Sequence, residues 1–123
     1  MPSTEETLRV VRAYHQGWTS KEFEQAIRLL APDLQVEVPI NDYPDAESFA
    51  KALVGFGGMV KRVVLLAEFA QADQAMLLYD LEVAGVGMLR IAEHFTVSGG
   101  KITRIRQIHD TAALRAAGFG EGL

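Results

Sequence analysis

The 123-residue chain contains no cysteine, which excludes disulfide bonds, thiolate nucleophiles and cysteine-ligated metal sites. A chain without cysteine suits a reducing compartment, so a cytoplasmic location is the expectation. Only three histidines are present, His15, His94 and His109, and they lack the close spacing of a metal site. The glycine-rich stretch 55–58 is not followed by Lys-Ser or Lys-Thr, so it is not a phosphate-binding loop. The sequence therefore predicts neither a metal nor a cofactor.

The chain also lacks any run of basic residues and any long apolar segment. Its 12 Lys and Arg are outnumbered by 16 Asp and Glu, whereas a nucleic-acid-binding surface requires clustered positive charge. The apolar stretches are too short to cross a bilayer, and the polar, acidic residues 1–7 do not resemble a signal peptide. Hydrophobic residues make up 49% of the chain, enough for one buried core. We expect a single domain over residues 1–123 that binds neither nucleic acid nor a membrane.

Two helices are predicted at the N-terminus, each beginning at a capping box. Ser3 with Glu6 starts the first helix, and Thr19 with Glu22 starts the second. Pro32 lies just beyond the second helix, as is typical of a helix end. At helical spacing the two apolar stripes comprise Leu8, Val11, His15 and Trp18, with Tyr14 beside them, and then Phe23, Ala26, Ile27 and Leu30.

A short strand is predicted over residues 34–40, where apolar and polar side chains alternate. The turn-rich residues 41–45 follow it, and Asp45 can cap a third helix. The apolar face of that helix carries Phe49, Leu53 and Phe56, and the glycines at positions 55, 57 and 58 end it.

From residue 60 onward the hydrophobic period changes to two, which predicts four strands over residues 61–70, 74–84, 87–98 and 101–110. Ser98-Gly99-Gly100 is a strong hairpin signal between the last two strands. A short tail helix is predicted over residues 111–117 and ends at Gly118. Helices followed by a meander of strands indicate an α+β fold with the helices on one face of the sheet.

Alternation along the strands divides the sheet into a charged face and an apolar face. The charged side is predicted to carry Asp80, Glu82, Arg90, Ile102, Arg104, Arg106 and Ile108. The apolar side is predicted to carry Leu77, Tyr79, Leu81, Val83, Leu89, Ile91, Phe95, Val97, Thr103 and Ile105. Three polar residues, Glu93, Gln107 and His109, share the apolar side. A few polar groups inside an apolar concavity are typical of a ligand pocket.

Four segments of the sequence resemble segments of a known protein family. They are Val10-Val11-Arg12-Ala13-Tyr14, Val36-Glu37-Val38-Pro39, Glu93-His94-Phe95 running into Gly99-Gly100-Lys101-Ile102, and His109-Asp110. With the order of elements, they resemble the nuclear transport factor 2-like superfamily, in its SnoaL-like and ketosteroid-isomerase-like branches. The resemblance implies a cone-shaped α+β fold, in which three helices pack on a highly curved antiparallel (mixed) sheet and enclose one pocket. It also implies a homodimer formed through the outer face of the sheet.

The resemblance further implies roles for individual residues. In ketosteroid isomerases a tyrosine of the first helix and a protonated acid on the third long strand donate hydrogen bonds to an oxyanion, and Tyr14 and Glu93 match them. The catalytic base is an aspartate just before a proline in the first strand, where this chain has Val38. Valine cannot take a proton, so a straightforward steroid isomerase is rejected. Asp42 and Asp45, in the loop after the first strand, are candidate replacements for that base, although Asp45 is better explained as a helix cap. His109 is the other candidate proton acceptor.

Alternatives remain for each of these residues. Glu93 and His109 form either an acid/base pair or a structural hydrogen bond, and Tyr14 is either a donor to a ligand or a core residue. Asp42 is equally explained by turn formation. The predicted pocket wall comprises Trp18, Val38, Tyr43, Phe49, Phe56, Tyr79, Phe95 and Gln107, and core packing alone explains its aromatic members.

Three functions are compatible with this pattern. The first is a cofactor-free acid/base enzyme, an isomerase, cyclase, dehydratase or epoxide hydrolase, acting on a small and mostly apolar molecule with one or two oxygens. In it, His109 accepts the proton while Glu93 and Tyr14 donate hydrogen bonds. The second is a non-catalytic module that binds such a molecule. The third is a dimeric interaction protein of the same fold.

Overall fold

The computed structural model describes residues 2–119, so residues 1 and 120–123 of the predicted domain lie outside the described residues. Four helices and five strands follow one another in this part of the chain. They are α1 (Thr4–Thr19), α2 (Phe23–Ile27), β1 (Leu30–Glu37), α3 (Ala46–Gly57), β2 (Val60–Gln71), β3 (Gln74–Val83), β4 (Gly87–Ser98), β5 (Lys101–Ile108) and α4 (Ala112–Ala116).

The five strands form one curved, open, mixed sheet in the order β1-β5-β4-β3-β2. β1 runs parallel to β5, and the other neighbours are antiparallel. The hairpin predicted between β4 and β5 is confirmed, since Gly99 and Gly100 both take positive φ angles, 58° and 77°, which glycine adopts without steric cost. The predicted α+β class, with helices packed on one face of the sheet, is confirmed as well.

Two of the three predicted helix starts are confirmed. Ser3 Oγ accepts a hydrogen bond from the Glu6 backbone N–H at 3.1 Å and begins α1. Asp45 Oδ1 accepts from the Ser48 N–H at 2.8 Å and begins α3. In both cases the side-chain oxygen satisfies an N–H that has no partner within the helix.

The predicted start of the second helix is wrong. The Thr19 hydroxyl donates to the His15 carbonyl oxygen at 2.7 Å, so Thr19 completes the last turn of α1. α2 begins only at Phe23, without a side-chain cap from Glu22, and has five residues. Leu30 belongs to β1 instead, where it pairs with Ile102 of β5. The strand therefore begins earlier than predicted and ends at Glu37.

The core lies between the helices and the inner face of the sheet. The predicted alternation is confirmed along β3 and β4, whose side chains alternate between buried and partly exposed from Ala75 to Val97. In β5 one assignment is wrong, because Ile102 is fully buried and faces inward. The cause is a β-bulge: Val97 pairs with Ile102 and Thr96 with Arg104, which leaves Thr103 as the extra residue.

The outer face carries both charged pairs and exposed apolar side chains. Arg90 binds Asp80 across β3 and β4 through two hydrogen bonds of 2.7 and 3.0 Å. The large apolar side chains exposed on this face are Val64, Phe69, Met76, Met88 and Ile108. No helix between residues 2 and 119 is long and apolar enough to cross a membrane.

Candidate functional site

A cavity of about 310 Å³ lies between α1, α3, the inner face of the sheet and the C-terminal segment. Ten residues singled out in the sequence line it: Tyr14, Trp18, Val38, Tyr43, Phe49, Phe56, Tyr79, Glu93, Gln107 and His109. Ten more line it as well: Ile40, Asn41, Ala52, Leu53, Gly55, Leu81, Leu89, Ile91, Leu114 and Phe119. Most of these side chains are apolar, and none of them is a Lys or Arg.

A buried carboxyl group lines this cavity. Glu93 is 1% exposed, and each of its two oxygens accepts one hydrogen bond. The Tyr79 hydroxyl donates to Oε1 at 2.7 Å, and the Gln107 amide donates to Oε2 at 2.8 Å. Burial raises the pKa of Glu93 above its ordinary value, although both hydrogen bonds act in the opposite direction.

The sheet register explains why these three side chains meet. Glu93 on β4 is directly opposite Gln107 on β5. Tyr79 on β3 is opposite Ile91, so its long side chain reaches diagonally to Glu93, two residues along β4. Diagonal neighbours on one face of a sheet are within reach of aromatic side chains. The three side chains therefore meet because each occupies an inward-facing position on one of three adjacent strands.

Tyr14 approaches the same group from the helix side. It is buried on α1 and packs edge-on against the ring of Phe95, with the ring centroids 5.8 Å apart. Burial raises the pKa of Tyr14 well above its ordinary value of 10, and the charge of Glu93 raises it further. Tyr14 therefore keeps its proton at neutral pH and is available as a hydrogen-bond donor.

His109 follows the end of β5 and is half-buried at the cavity. Its Nδ1 lies 3.0 Å from the backbone oxygen of Asp110. A carbonyl oxygen only accepts hydrogen bonds, so Nδ1 of the neutral ring carries the proton and Nε2 is the unprotonated nitrogen. This tautomer leaves Nε2 free to act as a proton acceptor.

Two of the sequence-predicted site residues do not line the cavity. Asp42 is exposed and lines a neighbouring groove with Glu37 and Arg106, which shares Val38 and Gln107 with the cavity. Its role as a replacement base stays a prediction. Phe95 is fully buried in the core behind Tyr14. The loop after β1 turns Asp42 outward, whereas Phe95 lies one inward position beyond Glu93 along β4.

No site role was predicted for Asn41 or for the C-terminal segment that carries Leu114 and Phe119. Asn41 has a positive φ of 69°, a conformation that asparagine adopts more readily than most residues, and its amide donates to the Tyr43 hydroxyl at 3.3 Å. Leu114 and Phe119 cover the cavity, and Phe119 packs edge-on against Phe56 at 6.1 Å. An asparagine in a turn-rich loop is a sequence signal for a site residue, whereas two apolar residues in a short tail give no such signal.

The residues that the structure describes include no group of three or more His, Asp or Glu side chains that could hold a metal ion. The titratable side chains that line the cavity are Glu93, Tyr14, Tyr43, Tyr79 and His109, and Gln107 is a neutral hydrogen-bonding partner.

A curved sheet that encloses a cavity with three helices defines the nuclear transport factor 2-like class of folds, whose members are cone-shaped. The SnoaL-like domain family matches residues 11–105, and the chain belongs to that family. A protein from Kribbella flavida DSM 17836 is 32% identical, with a TM-score of 0.84 over 89% of this chain and 91% of the other. The resemblance seen in the sequence is thus confirmed.

Two further solved structures share the fold at lower identity. A candidate ketosteroid isomerase from Kribbella flavida DSM 17836 is 19% identical, with a TM-score of 0.80 over 91% of this chain and 83% of the other. An LEH-like epoxide hydrolase from M. tuberculosis is 20% identical, with a TM-score of 0.74 over 93% and 90% of the two chains. No curated protein matches the chain.

Proposed function

We propose that this protein binds a small, mostly apolar molecule that carries one or two oxygen atoms, with an oxygen held at Glu93 and Tyr14. One observation carries the proposal: a buried carboxyl group, with a hydrogen bond to each oxygen, stands inside an otherwise apolar cavity. A polar group of this kind is costly to bury, and in a ligand pocket such groups fix the orientation of the ligand.

The protonated form of Glu93 suits a neutral oxygen of the ligand. Tyr79 and Gln107 occupy one acceptor position on each carboxyl oxygen. Burial favours the neutral acid, which has one O–H to donate. Tyr14 supplies a second O–H from α1, on the helix side of the cavity. Two donors converging on one oxygen would hold a ketone, an epoxide or a hydroxyl group.

The names of two structural relatives agree with this class of ligand. A ketosteroid carries a ketone, and the substrate of an epoxide hydrolase carries an epoxide, so both are neutral molecules with an oxygen acceptor. These relatives are 19% and 20% identical to this chain, and they share its fold. The ligand class proposed here therefore rests on the cavity itself, and the names give it secondary support.

Acid/base catalysis without a cofactor is a second candidate function, favoured by the tautomer of His109. His109 lines the cavity, and Nε2 is its unprotonated nitrogen, while Tyr14 and the neutral form of Glu93 would be the donors. A proton acceptor and two donors around one apolar ligand are the groups needed for isomerisation, cyclisation or dehydration. Epoxide opening needs a water molecule as well, which gives its proton to His109 and attacks a ring carbon while a donor protonates the ring oxygen. In such a reaction His109 takes a proton and the two donors stabilise the developing negative charge on the ligand oxygen.

Binding can be tested with prodan, a neutral naphthyl ketone whose fluorescence reports its surroundings. Wild-type protein should bind it, and Glu93→Leu should weaken binding by up to about tenfold, the equivalent of one lost hydrogen bond. Glu93→Gln keeps a neutral donor of the same size and should bind nearly as well as wild type. Equal affinity for all three proteins would refute the role of Glu93.

Turnover is tested with the same proteins and a panel of cyclic epoxides and enones. His109→Ala should abolish any turnover and retain prodan binding, while His94→Gln on the outer face serves as the matched histidine control. If no panel member reacts with wild-type protein that binds prodan, the binding function stands and catalysis of these substrates is excluded. Turnover that survives in His109→Ala would remove the histidine from the mechanism.

We further propose that the outer face of the sheet binds a second copy of the chain. Phe69 and Ile108 are 71% and 74% exposed on this face, and Val64, Met76 and Met88 add to the apolar surface between them. Apolar side chains from four neighbouring strands are more typical of an interface than of a solvated sheet. The charged pair Asp80–Arg90 lies within the same face and would be part of the contact.

A further inference from the structure

Asn41 lines the cavity from the loop that joins β1 to α3. Its side-chain nitrogen donates to the Tyr43 hydroxyl at 3.3 Å, whereas its carbonyl oxygen, Oδ1, is buried and accepts no hydrogen bond from the described residues. Two other buried side-chain atoms between residues 2 and 119 share this condition, Nδ1 of His15 and Nδ1 of His94, and neither histidine lines the cavity. Asn41 therefore brings to the cavity an acceptor that the described part of the protein does not use.

A buried acceptor without a partner is costly to keep. Leaving such a group unpaired costs about 1–3 kcal/mol. Most buried polar side chains of folded proteins have a partner, so an exception calls for a specific explanation. The backbone adds to the cost, because the positive φ angle of Asn41 is uncommon for residues other than glycine. A hydrogen-bond donor on the ligand would satisfy Oδ1 and would explain why the exception lies at the cavity.

The neighbours of Asn41 fix which of its polar atoms is left for a ligand. The Tyr43 hydroxyl accepts from Nδ2, and the Tyr43 ring packs edge-on against Phe49 of α3, with the ring centroids 5.6 Å apart. Both rings line the cavity. Tyr43 therefore occupies the amide nitrogen, and the oxygen remains. An amide oxygen accepts hydrogen bonds and does not donate them, so the matching group of the ligand is an O–H or an N–H.

This acceptor complements the donors of the proposed binding site. Tyr14 on α1 and the neutral form of Glu93 on β4 present O–H groups, which suit an acceptor oxygen of the ligand. Asn41 lies on a third element of the fold and presents the opposite polarity. The wall is otherwise mostly apolar, so a neutral hydroxyl suits it better than a charged ammonium group, which is far more costly to bury.

We propose that Asn41 is a specificity-determining residue and that the ligand is a hydroxy-ketone or a hydroxy-epoxide. The hydroxyl of the ligand donates to Oδ1 of Asn41, while its other oxygen accepts from Glu93 and Tyr14. The inference rests on the proposed binding function and adds the second polar group of the ligand and its partner in the protein.

Pairs of ketones that differ only at one hydroxyl test this inference. The probes are the para-hydroxyphenyl, hydroxynaphthyl and hydroxybiphenyl methyl ketones, which place the hydroxyl at increasing distances from the carbonyl, and the methyl ether of each. The ether keeps the oxygen and has no proton to donate. In calorimetry with wild-type protein, at least one hydroxyl compound should bind about tenfold more tightly than its ether, the equivalent of one hydrogen bond.

Two substitutions attribute this preference to the amide oxygen. Asn41→Gly removes the amide, and glycine adopts a positive φ without steric cost, so the melting temperature should stay close to that of wild type. The preference for the hydroxyl should disappear, while prodan, which has no hydroxyl, should bind as it does to wild type. Asn41→Asp keeps an acceptor oxygen and tolerates a positive φ, so it should retain the preference. Loss of the preference in Asn41→Asp would contradict the acceptor role.

The other outcomes separate this inference from the function on which it rests. If wild-type protein binds prodan but binds every hydroxyl compound no better than its ether, the binding function stands and the role of Asn41 is overturned. A preference that persists in Asn41→Gly would be due to the size of the ether methyl group and would overturn the role as well. If wild-type protein binds neither prodan nor any hydroxyl compound, the proposed function fails and the role of Asn41 fails with it.

Discussion

His15 is a buried histidine that should make the stability of this protein depend on pH. It is 6% exposed on α1 and packs against the rings of Trp18 and Tyr79, at centroid distances of 5.6 and 4.9 Å. Its Nδ1 is buried without a hydrogen-bond partner among the described residues. Burial lowers the pKa of His15 from its ordinary value of 6.5 to about 4, although the nearby charge of Glu68 acts in the opposite direction.

The sign of the effect follows from the two protonation states. Between pH 6.5 and about 4 the unfolded chain binds a proton at His15 and the folded chain does not. The contribution of the neutral His15 to the free energy of unfolding is therefore fully present above pH 6.5 and is lost as the pH is lowered toward 4. From pH 8 to pH 5 this histidine alone removes about 2 kcal/mol from the free energy of unfolding. Glu93, whose pKa is raised in the folded state, acts in the opposite direction over this range.

The contribution of His15 is isolated by comparing wild type with His15→Leu. Leucine is apolar, does not titrate and leaves no unpaired nitrogen between the two rings, so the variant should be at least as stable as wild type at pH 5. Urea unfolding at pH 8 and pH 5 gives the loss of free energy for each protein. The loss in the variant should be smaller by about 2 kcal/mol.

His94→Gln is the control for a general effect of histidine removal. His94 is only partly buried on the outer face, and burial together with the charges of Arg106 and Arg104 lowers its pKa. Between pH 8 and pH 5 the His94→Gln variant should lose an amount of unfolding free energy that is closer to the wild-type loss than the loss in His15→Leu is. If wild type and His15→Leu lose the same free energy between the two pH values, burial of a neutral His15 does not govern the acid sensitivity, and the reasoning is refuted.

Two further predictions concern the outer face and α3. Ile108→Glu should convert the proposed dimer to a monomer in sedimentation experiments. Val54→Glu, an equivalent change at an exposed site off the sheet, should leave the dimer intact. A wild-type protein that sediments as a monomer would contradict the proposed interface. Asp45→Ala removes the cap that accepts the Ser48 N–H and should lower the free energy of unfolding by about 1 kcal/mol. Asp42→Ala caps no helix and should change it by less than about 0.5 kcal/mol, so equal losses would show that the cap does not stabilise α3.

Part of the fold was predictable because it depends on neighbours in the sequence. The caps at Ser3 and Asp45 are satisfied within three residues, and a pattern of adjacent residues is enough to predict them. β3 and β4 are long enough for their alternation to assign a face to every side chain. The inward direction of Tyr79 and Glu93, and with it the centre of the candidate site, follows from that alternation.

The boundary between α2 and β1 was decided by a distant partner. Residues 19–30 have the spacing of a helix, yet Leu30 pairs with Ile102, more than seventy positions away. Tertiary pairing outweighs the small differences in helix propensity that a local pattern reports. The bulge at Thr103 is of the same kind, since it reverses the alternation of β5 through its register with β4.

The sequence by itself determined the class of fold, the chain order of its elements and the inward face of the two central strands, because these depend on local hydrogen bonds and on side-chain alternation. The tertiary structure decided that Tyr79, Glu93 and Gln107 meet, that Asp42 lines the groove beside the cavity and not the cavity itself, and that Leu114 and Phe119 are part of the cavity wall. These placements depend on strand register and on the path of loops, which are set by contacts between residues far apart in the chain.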